Sequence, residues 1–266
     1  MLGIGTWNMG EKRKNRTEEI AALQMAVDLG MTVVDTAEMY GSGAAEELVA
    51  EALGARRSDI FLVSKVMPQH ASRRGTISSC EASLRRLKTD RLDMYLLHWR
   101  GSVGLDETLE ALQRLERDGK IRHWGVSNFD VDDMEELGGL TARGGSMAAT
   151  NQVLFNLTRR GIEYDLLPWC HTRAIPVMAY SPLEQGLLAG HKTLEAIAKR
   201  LSATPAQVAL AWVLRQPGVM AIPKAGHVEH VRENGGALEV ELAPEDLADL
   251  DDAFPPPMHK RPLEMI

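Results

Sequence analysis

The stretch Gly3-Ile4-Gly5-Thr6-Trp7-Asn8 decides the fold. An open, doubly wound sheet that binds a dinucleotide carries its glycine fingerprint in the first strand-to-helix turn, where the third glycine lets helix and strand pack closely. Here asparagine stands where that glycine belongs, and Gly41-Ser42-Gly43-Ala44-Ala45-Glu46 fails at the same place. The competing architecture, a closed barrel of eight strand-helix units, makes no such demand on its first turn.

Outward from that turn the chain alternates. Thr17 to Leu29 carries Ile20, Leu23 and Val27 on one helical face and stops at Gly30, and a strand, Thr32 to Val34, follows at once. Helix Ala44 to Leu53 precedes strand Ile60 to Val63; a face of Ile77, Cys80, Leu84 and Leu87 precedes strand Leu92 to Leu97. Leu105, Leu109 and Leu112 mark the next helix, with Gly119 as a stop before strand Arg122 to Val126. Helix Val131 to Leu137 leads to strand Ala149 to Val153, and helix Tyr164 to Thr172 to strand Val177 to Ala179. Thr204-Pro205-Ala206-Gln207 offers a capping Thr, Pro at the first helical position and Gln three residues after the cap, which starts a helix over 205–215 ahead of strand Val219 to Ile222. With Gly3 to Thr6 as the first strand, the pattern predicts an α/β fold of the (β/α)8 TIM-barrel type. No linker cuts the 266 residues, so one domain is expected over 1–266, ending in a Pro-rich tail over 254–266 whose composition dictates no fixed conformation.

A net charge of −7 argues against a nucleic-acid surface, which needs a basic stripe to neutralise phosphates. Lys12-Arg13-Lys14 with Arg16 reads as a solvated loop. No apolar run has the length of a membrane span, and the start resembles no signal peptide, so a cytoplasmic monomer is expected. Cys80 and Cys170 lie far apart with no CxxC spacing and read as reduced packing residues. His227 and His230 sit at helical spacing without further ligands nearby, and no metal is expected.

In a barrel the carboxyl ends of the strands share one face, where active sites are built. The first polar residues after the apolar runs are Asp35, Ser64-Lys65, His98, Ser127-Asn128, Gln152, Tyr180-Ser181 and Lys224. A carboxylate ending a buried run, as Asp35 does, costs desolvation energy unless a positive group meets it, and the neighbouring strand supplies Lys65. Tyr40 lies within loop reach of both. A free tyrosine has a pKa near 10, and a nearby ammonium is expected to lower it toward working pH. Asp35 would orient Lys65, Tyr40 would donate a proton and His98 would position the acceptor oxygen.

These residues resemble the aldo-keto reductase superfamily along nearly the whole chain. The likeness runs through Gly5-Thr6-Trp7, Asp35-Thr36-Ala37, Tyr40-Gly41, Ser64-Lys65-Val66, Leu96-Leu97-His98-Trp99, Gly125 to Phe129, Asn151-Gln152-Val153, Ala179 to Leu183 and Ile222-Pro223-Lys224. It implies NADPH-dependent reduction of small aldehydes and ketones such as methylglyoxal, with Asp35, Tyr40, Lys65 and His98 as the catalytic tetrad. By the same resemblance Tyr180 stacks on the nicotinamide, Ser127, Asn128 and Gln152 hold its carboxamide, and Thr6 and Trp7 flank the cofactor and substrate mouth. Ser181, Leu183 and Gln185 would follow the pyrophosphate, with Ile222 alongside the cofactor; Lys224 would face the 2′-phosphate, and Glu233 and Asn234 the adenine. Trp7, Met39, Trp99 and Phe129 would wall the substrate.

The chain departs from the family pattern in places. Ala225 and His230 stand where the NADPH-preferring pattern has Ser and Arg, which weakens that preference, leaves room for NADH and makes Arg232 a candidate substitute. No aromatic residue follows Met67-Pro68 before Gly75, and the start is short for the hairpin that closes the family's barrel floor. Two readings from other classes compete: a nucleotide-binding redox sensor with negligible turnover, and a metal-dependent barrel isomerase or hydrolase, which would need clustered His and acid ligands at several strand ends.

Overall fold

The computed structural model describes residues 1–141 and 146–266, and its strands form one parallel sheet in sequence order. These are β1 (Ile4–Gly5), β2 (Val33–Asp35), β3 (Phe61–Val66), β4 (Leu92–Leu97), β5 (Ile121–Ser127), β6 (Asn151–Leu154), β7 (Val177–Tyr180) and β8 (Val219–Ala221). The sheet closes on itself. Leu2 bridges Ala221 and Gly5 bridges Lys224, both parallel, and the amides of Gly3 and Gly5 donate to the carbonyls of Ala221 and Pro223 at 2.9 and 3.0 Å. The barrel expected from the first turn is the fold observed.

Helices α1 (Arg16–Asp28), α2 (Ala44–Leu53), α3 (Arg73–Leu87), α4 (Leu105–Arg117), α5 (Val131–Thr141) and α6 (Leu166–Thr172) separate the first seven strands. α7 (Lys192–Arg200) and α8 (Pro205–Leu214) both lie between β7 and β8, and α9 (Val228–Gly235) and α10 (Pro244–Ala253) follow β8. The capping box at α8 forms: the Gln207 amide donates to Thr204 Oγ1 at 3.2 Å, and the Thr204 amide to Gln207 Oε1 at 2.9 Å. The sequence reading has no counterpart for α7 or α10. Both carry local signals, Leu194, Ile197 and Ala198 buried on one face of α7 and Pro244 at the first turn of α10, in stretches that the sequence analysis leaves unassigned.

Strand side chains alternate between two cores. Val33, Val63, Met94, Leu96, Met178 and Ile222 fill the barrel interior. Val34, Leu62, Tyr95, Val126, Val153 and Ala179 face outward, into the larger core against the helices. That period of two puts Asp35, Lys65, His98, Ser127, Gln152 and Tyr180 on the inward side at the carboxyl ends, with Ser64 pointing out.

The tail contains neither helix nor strand, yet side-chain contacts set its course. The Arg160 guanidinium donates to the Phe254 carbonyl, the Phe254 ring packs on His191 with centroids 4.4 Å apart, and Arg159 pairs with Glu264 at 2.8 Å.

Candidate active site

Adjacent strands bring the central groups together. Lys65 Nζ donates to Asp35 Oδ2 at 2.7 Å, to the Thr36 carbonyl at 2.9 Å and to the Tyr40 hydroxyl at 3.0 Å. An ammonium has three N–H groups, so every one is used, two of them on the segment that ends β2. Lys65 is wholly buried and Asp35 nearly so. A buried charge of this kind is tolerated only when paired and fully hydrogen-bonded. The other Asp35 oxygen accepts from Gln152 Nε2 at 2.8 Å, across the barrel from β6.

Burial decides the electrostatics. It pushes the Lys65 ammonium down, against the pull of Asp35. Tyr40 lies well above the usual tyrosine value, first because it is buried and second because of the Asp35 charge. The sequence argument expected Lys65 to lower it; with Asp35 2.7 Å from the ammonium, the pair offers little net positive charge and desolvation wins. His98 is held down to about 2 by burial, with Lys65 adding to the effect, so its imidazole is neutral at physiological pH. Its ring meets Tyr40 edge-on at 5.7 Å, and its Nδ1 is buried with no partner among the described residues.

A second layer of charge stands behind this set, and no spacing in the sequence announced it. Glu46 of α2 is fully buried; it accepts from Ser64 Oγ and from Arg86 Nε of α3, both at 2.6 Å. Gly43, with φ of +96°, lies against that arginine: a Cβ there would stand 2.5 Å from Arg86 Cδ, so only glycine lets the Tyr40 loop settle on the pair. Glu38 joins the loops after β2 and β3, accepting from the Met67 amide at 2.8 Å and meeting His70 Nδ1 at 3.0 Å.

Further round the rim, Tyr180 donates its hydroxyl to Asn128 Oδ1 at 2.9 Å, and Asn128 Nδ2 donates to the His98 carbonyl and to Ser127 Oγ, each at 3.1 Å. Ser127 donates to the Gln152 carbonyl at 2.8 Å. The Tyr180 hydroxyl is pushed up to about 12, mainly by burial, while the Ile266 backbone pulls it the other way. Ser181 and Gln185 adopt left-handed φ of 46° and 55° in the loop after β7. Gln185 is exposed and Leu183 partly buried there; Lys224 is exposed after β8, and on α9 Glu233 is half-buried and Asn234 buried. Trp7 stands exposed at the mouth, with Met39 and Trp99 half-buried beside the loops that carry Tyr40 and His98.

Three of the residues expected at the site are buried. Phe129, expected in the substrate wall, is fully buried in the outer core, because its side chain turns toward the helices. Ile222 packs inside the barrel at 4% exposure and offers almost no surface to a cofactor. Thr6 is fully buried and donates its hydroxyl to the Asp35 carbonyl at 3.0 Å, so it braces the strand end. Among the described residues no group of three or more His, Cys, Asp or Glu is placed to hold a metal ion. No described helix is long and apolar enough to cross a membrane.

Comparison with known proteins agrees with this geometry. The aldo/keto reductase family profile matches residues 1–254. The chain is 53% identical to the methylglyoxal reductase YeaE of Escherichia coli K12, over all of this chain and 94% of that one. It is 35% identical to the glyoxal reductase of Bacillus subtilis, over 94% of this chain and 87% of the other. Among solved structures, an aldo/keto reductase from Klebsiella pneumoniae in complex with NADP and acetate matches with a TM-score of 0.95 and 51% identity, covering 100% of this chain and 95% of that one. A paired lysine at the inner rim of a closed parallel barrel and a family profile over nearly the whole length lead to one conclusion: the chain belongs to the aldo/keto reductase family.

Proposed function

We propose that this enzyme uses NADPH to reduce small aldehydes and ketones, methylglyoxal among them, to alcohols. The observation that carries the reading is the Lys65 ammonium, held between the Asp35 carboxylate at 2.7 Å and the Tyr40 hydroxyl at 3.0 Å beside a neutral His98. The relatives named above supply the substrate class and the cofactor.

The residues at the rim suit a nicotinamide dinucleotide. The flat Tyr180 ring, the amide side chains of Asn128 and Gln152, and the exposed Lys224 lie along one arc from β5 to β8. Bound there, the reduced nicotinamide supplies a hydride to the carbonyl carbon. Tyr40, kept protonated by burial, gives its proton to the carbonyl oxygen as negative charge develops on it. Lys65 stabilises the phenolate left behind, and Asp35, fixed by Gln152, holds Lys65 charged and aimed. A neutral His98 donates a hydrogen bond to the same oxygen without competing as an acid. Preorganised donors placed where charge develops lower a barrier more than any other single effect. Trp7, Met39 and Trp99 form the apolar walls around a small carbonyl.

Ser181, Leu183 and Gln185 follow the pyrophosphate, Lys224 meets the 2′-phosphate, and Glu233 and Asn234 face the adenine. Ala225 and His230 in place of Ser and Arg leave Lys224 as the main cationic contact, so NADH is used as well, less efficiently. The whole chain works as one unit, a cytoplasmic monomer whose net charge of −7 keeps it off nucleic acids.

The test follows NADPH oxidation with methylglyoxal and an aromatic aldehyde, in wild type and Tyr40→Phe. Turnover in the variant should fall by roughly 10²–10⁴-fold, the usual worth of a general acid, while NADPH binding measured by fluorescence titration is kept. Wild-type protein that binds NADPH yet reduces no carbonyl in a broad panel would be a nucleotide sensor instead.

A further inference from the structure

We propose that Arg159 is a positioning residue that couples the C-terminal tail to the loop carrying Ser181 and Gln185, so that tail docking and cofactor binding strengthen each other. The inference rests on the reading above in one respect, that this loop follows the cofactor pyrophosphate.

The loop after β7 holds three non-glycine residues in the left-handed region: Ser181 at φ 46°, Glu184 at 46° and Gln185 at 55°. Backbone of this kind persists only where its surroundings hold it. The support comes from behind. Asn156, fully buried after β6, donates Nδ2 to the Ser181 carbonyl at 2.9 Å and to Glu184 Oε2 at 2.6 Å. Glu184 is itself buried, at 7% exposure, so a carboxylate lies within the loop read above as following the pyrophosphate. A bare carboxylate there would repel the ligand and carry a desolvation cost.

Arg159 removes both problems with one arm and holds the tail with the other. Its Nε donates to Glu184 Oε1 at 3.0 Å, and its Nη1 to Glu264 Oε1 at 2.8 Å. The planar guanidinium fixes the angle between its donors, so the direction taken by one arm sets that of the other. Lys260 adds a second tether, to Asp132 and Asp165 at 3.5 and 3.7 Å. With Glu264 docked, the guanidinium is pinned where it neutralises Glu184 and keeps the loop in its left-handed course. With a dinucleotide on the front of the loop, Glu184 and Arg159 are pinned in turn, and Nη1 stands ready for Glu264. Coupling of this sort is reciprocal: the tail changes cofactor affinity by the factor by which cofactor changes tail docking.

The sign of one substitution separates coupling from charge alone. Glu264→Gln removes a negative charge near the phosphate site, so simple electrostatics predicts tighter NADPH binding; coupling predicts weaker binding. The experiment is an NADPH titration by fluorescence for wild type, Glu264→Gln, Arg159→Lys and Arg159→Met, with hydrogen exchange of residues 258–266 measured with and without NADPH. Coupling predicts binding about two- to fivefold weaker in Glu264→Gln, in keeping with a half-exposed ion pair. Arg159→Met should be weaker still, with Arg159→Lys between it and wild type. NADPH should slow tail exchange in wild type by the factor that Glu264→Gln costs, and leave it unchanged in Arg159→Met. Unchanged or tighter binding in Glu264→Gln overturns the coupling even if Arg159→Met fails to fold. Wild-type protein that does not bind NADPH at all overturns the cofactor reading and the coupling with it.

Discussion

On the rim formed by β2, β3 and β4, Lys65 has all three donors satisfied, Asp35 has a partner on each oxygen, and Tyr40 and His98 lie packed beside them. Across the barrel, Lys224 is exposed and without an ion pair among the described residues, and the loop after β7 is held in left-handed backbone by contacts from behind. The first region has its ion pair and its lysine hydrogen bonds formed before any ligand arrives, and of these four side chains only His98, at Nδ1, has a buried polar atom without a partner among the described residues. The second is built on loops and leaves its polar groups available. Proton-transfer chemistry demands the first kind of construction, and recognition of a long, charged ligand permits the second.

The hardest blow to that contrast falls on Lys65. Lys65→Met leaves the Asp35 carboxylate buried with Gln152 as its remaining side-chain partner, and is expected to abolish turnover and lower stability by about 3–5 kcal/mol, measured by urea unfolding. Adding Asp35→Asn should recover much of that stability and none of the turnover. Stability regained without activity would separate the cost of the charge from its use. If Lys65→Met unfolds at the wild-type urea concentration, the closed half is not held by its ion pair.

Acid comes next. His98 is neutral in the fold, with its pKa held down to about 2 against an ordinary value of 6.5. The unfolded chain therefore binds the extra proton between those values. The contribution of His98 is fully present above about pH 6.5 and is lost progressively as pH falls toward 2. Melting temperature against pH should show a shallower acid limb in His98→Gln than in wild type; identical limbs would place His98 in contact with water.

Substitutions in the open half are expected to move affinity and leave stability alone. Lys224→Ala should weaken NADPH about tenfold, or about 1.4 kcal/mol, and leave NADH unchanged. His230→Arg should shift the NADPH to NADH ratio the other way, by a smaller factor. An equal loss for both cofactors would remove Lys224 from the 2′-phosphate. At the bottom of the scale, Arg16→Ala breaks a largely exposed pair with Glu51 and should cost under about 1 kcal/mol in unfolding.

The two halves also differ in how well the sequence discloses them. Asp35, Lys65 and His98 each interrupt an apolar run at a strand's end, and in a parallel barrel neighbouring strand ends lie side by side, so local pattern and topology together suffice. The direction of the Tyr40 shift was not legible, since it depends on how completely the Lys65–Asp35 pair cancels. Glu46 and Arg86 are 40 positions apart and Gln152 and Asp35 are 117 apart, and nothing in local spacing marks such partners. Phe129, named for the substrate wall on the family resemblance, packs in the outer core, a direction the period of two does not give once the strand has ended. α7 and α10 carried their signals, the apolar face of Leu194, Ile197 and Ala198 and the Pro244 start, in stretches left unassigned from the sequence.

The two cysteines have a consequence for an enzyme that handles reactive carbonyls. Cys80 in α3 and Cys170 in α6 are both fully buried, and burial raises their thiols to about 12 and about 11. A carbonyl carbon is an electrophile, and of the two forms of a cysteine only the thiolate attacks readily. Buried and held as thiols at neutral pH, neither sulfur is set out as a nucleophile toward the carbonyl compounds proposed above.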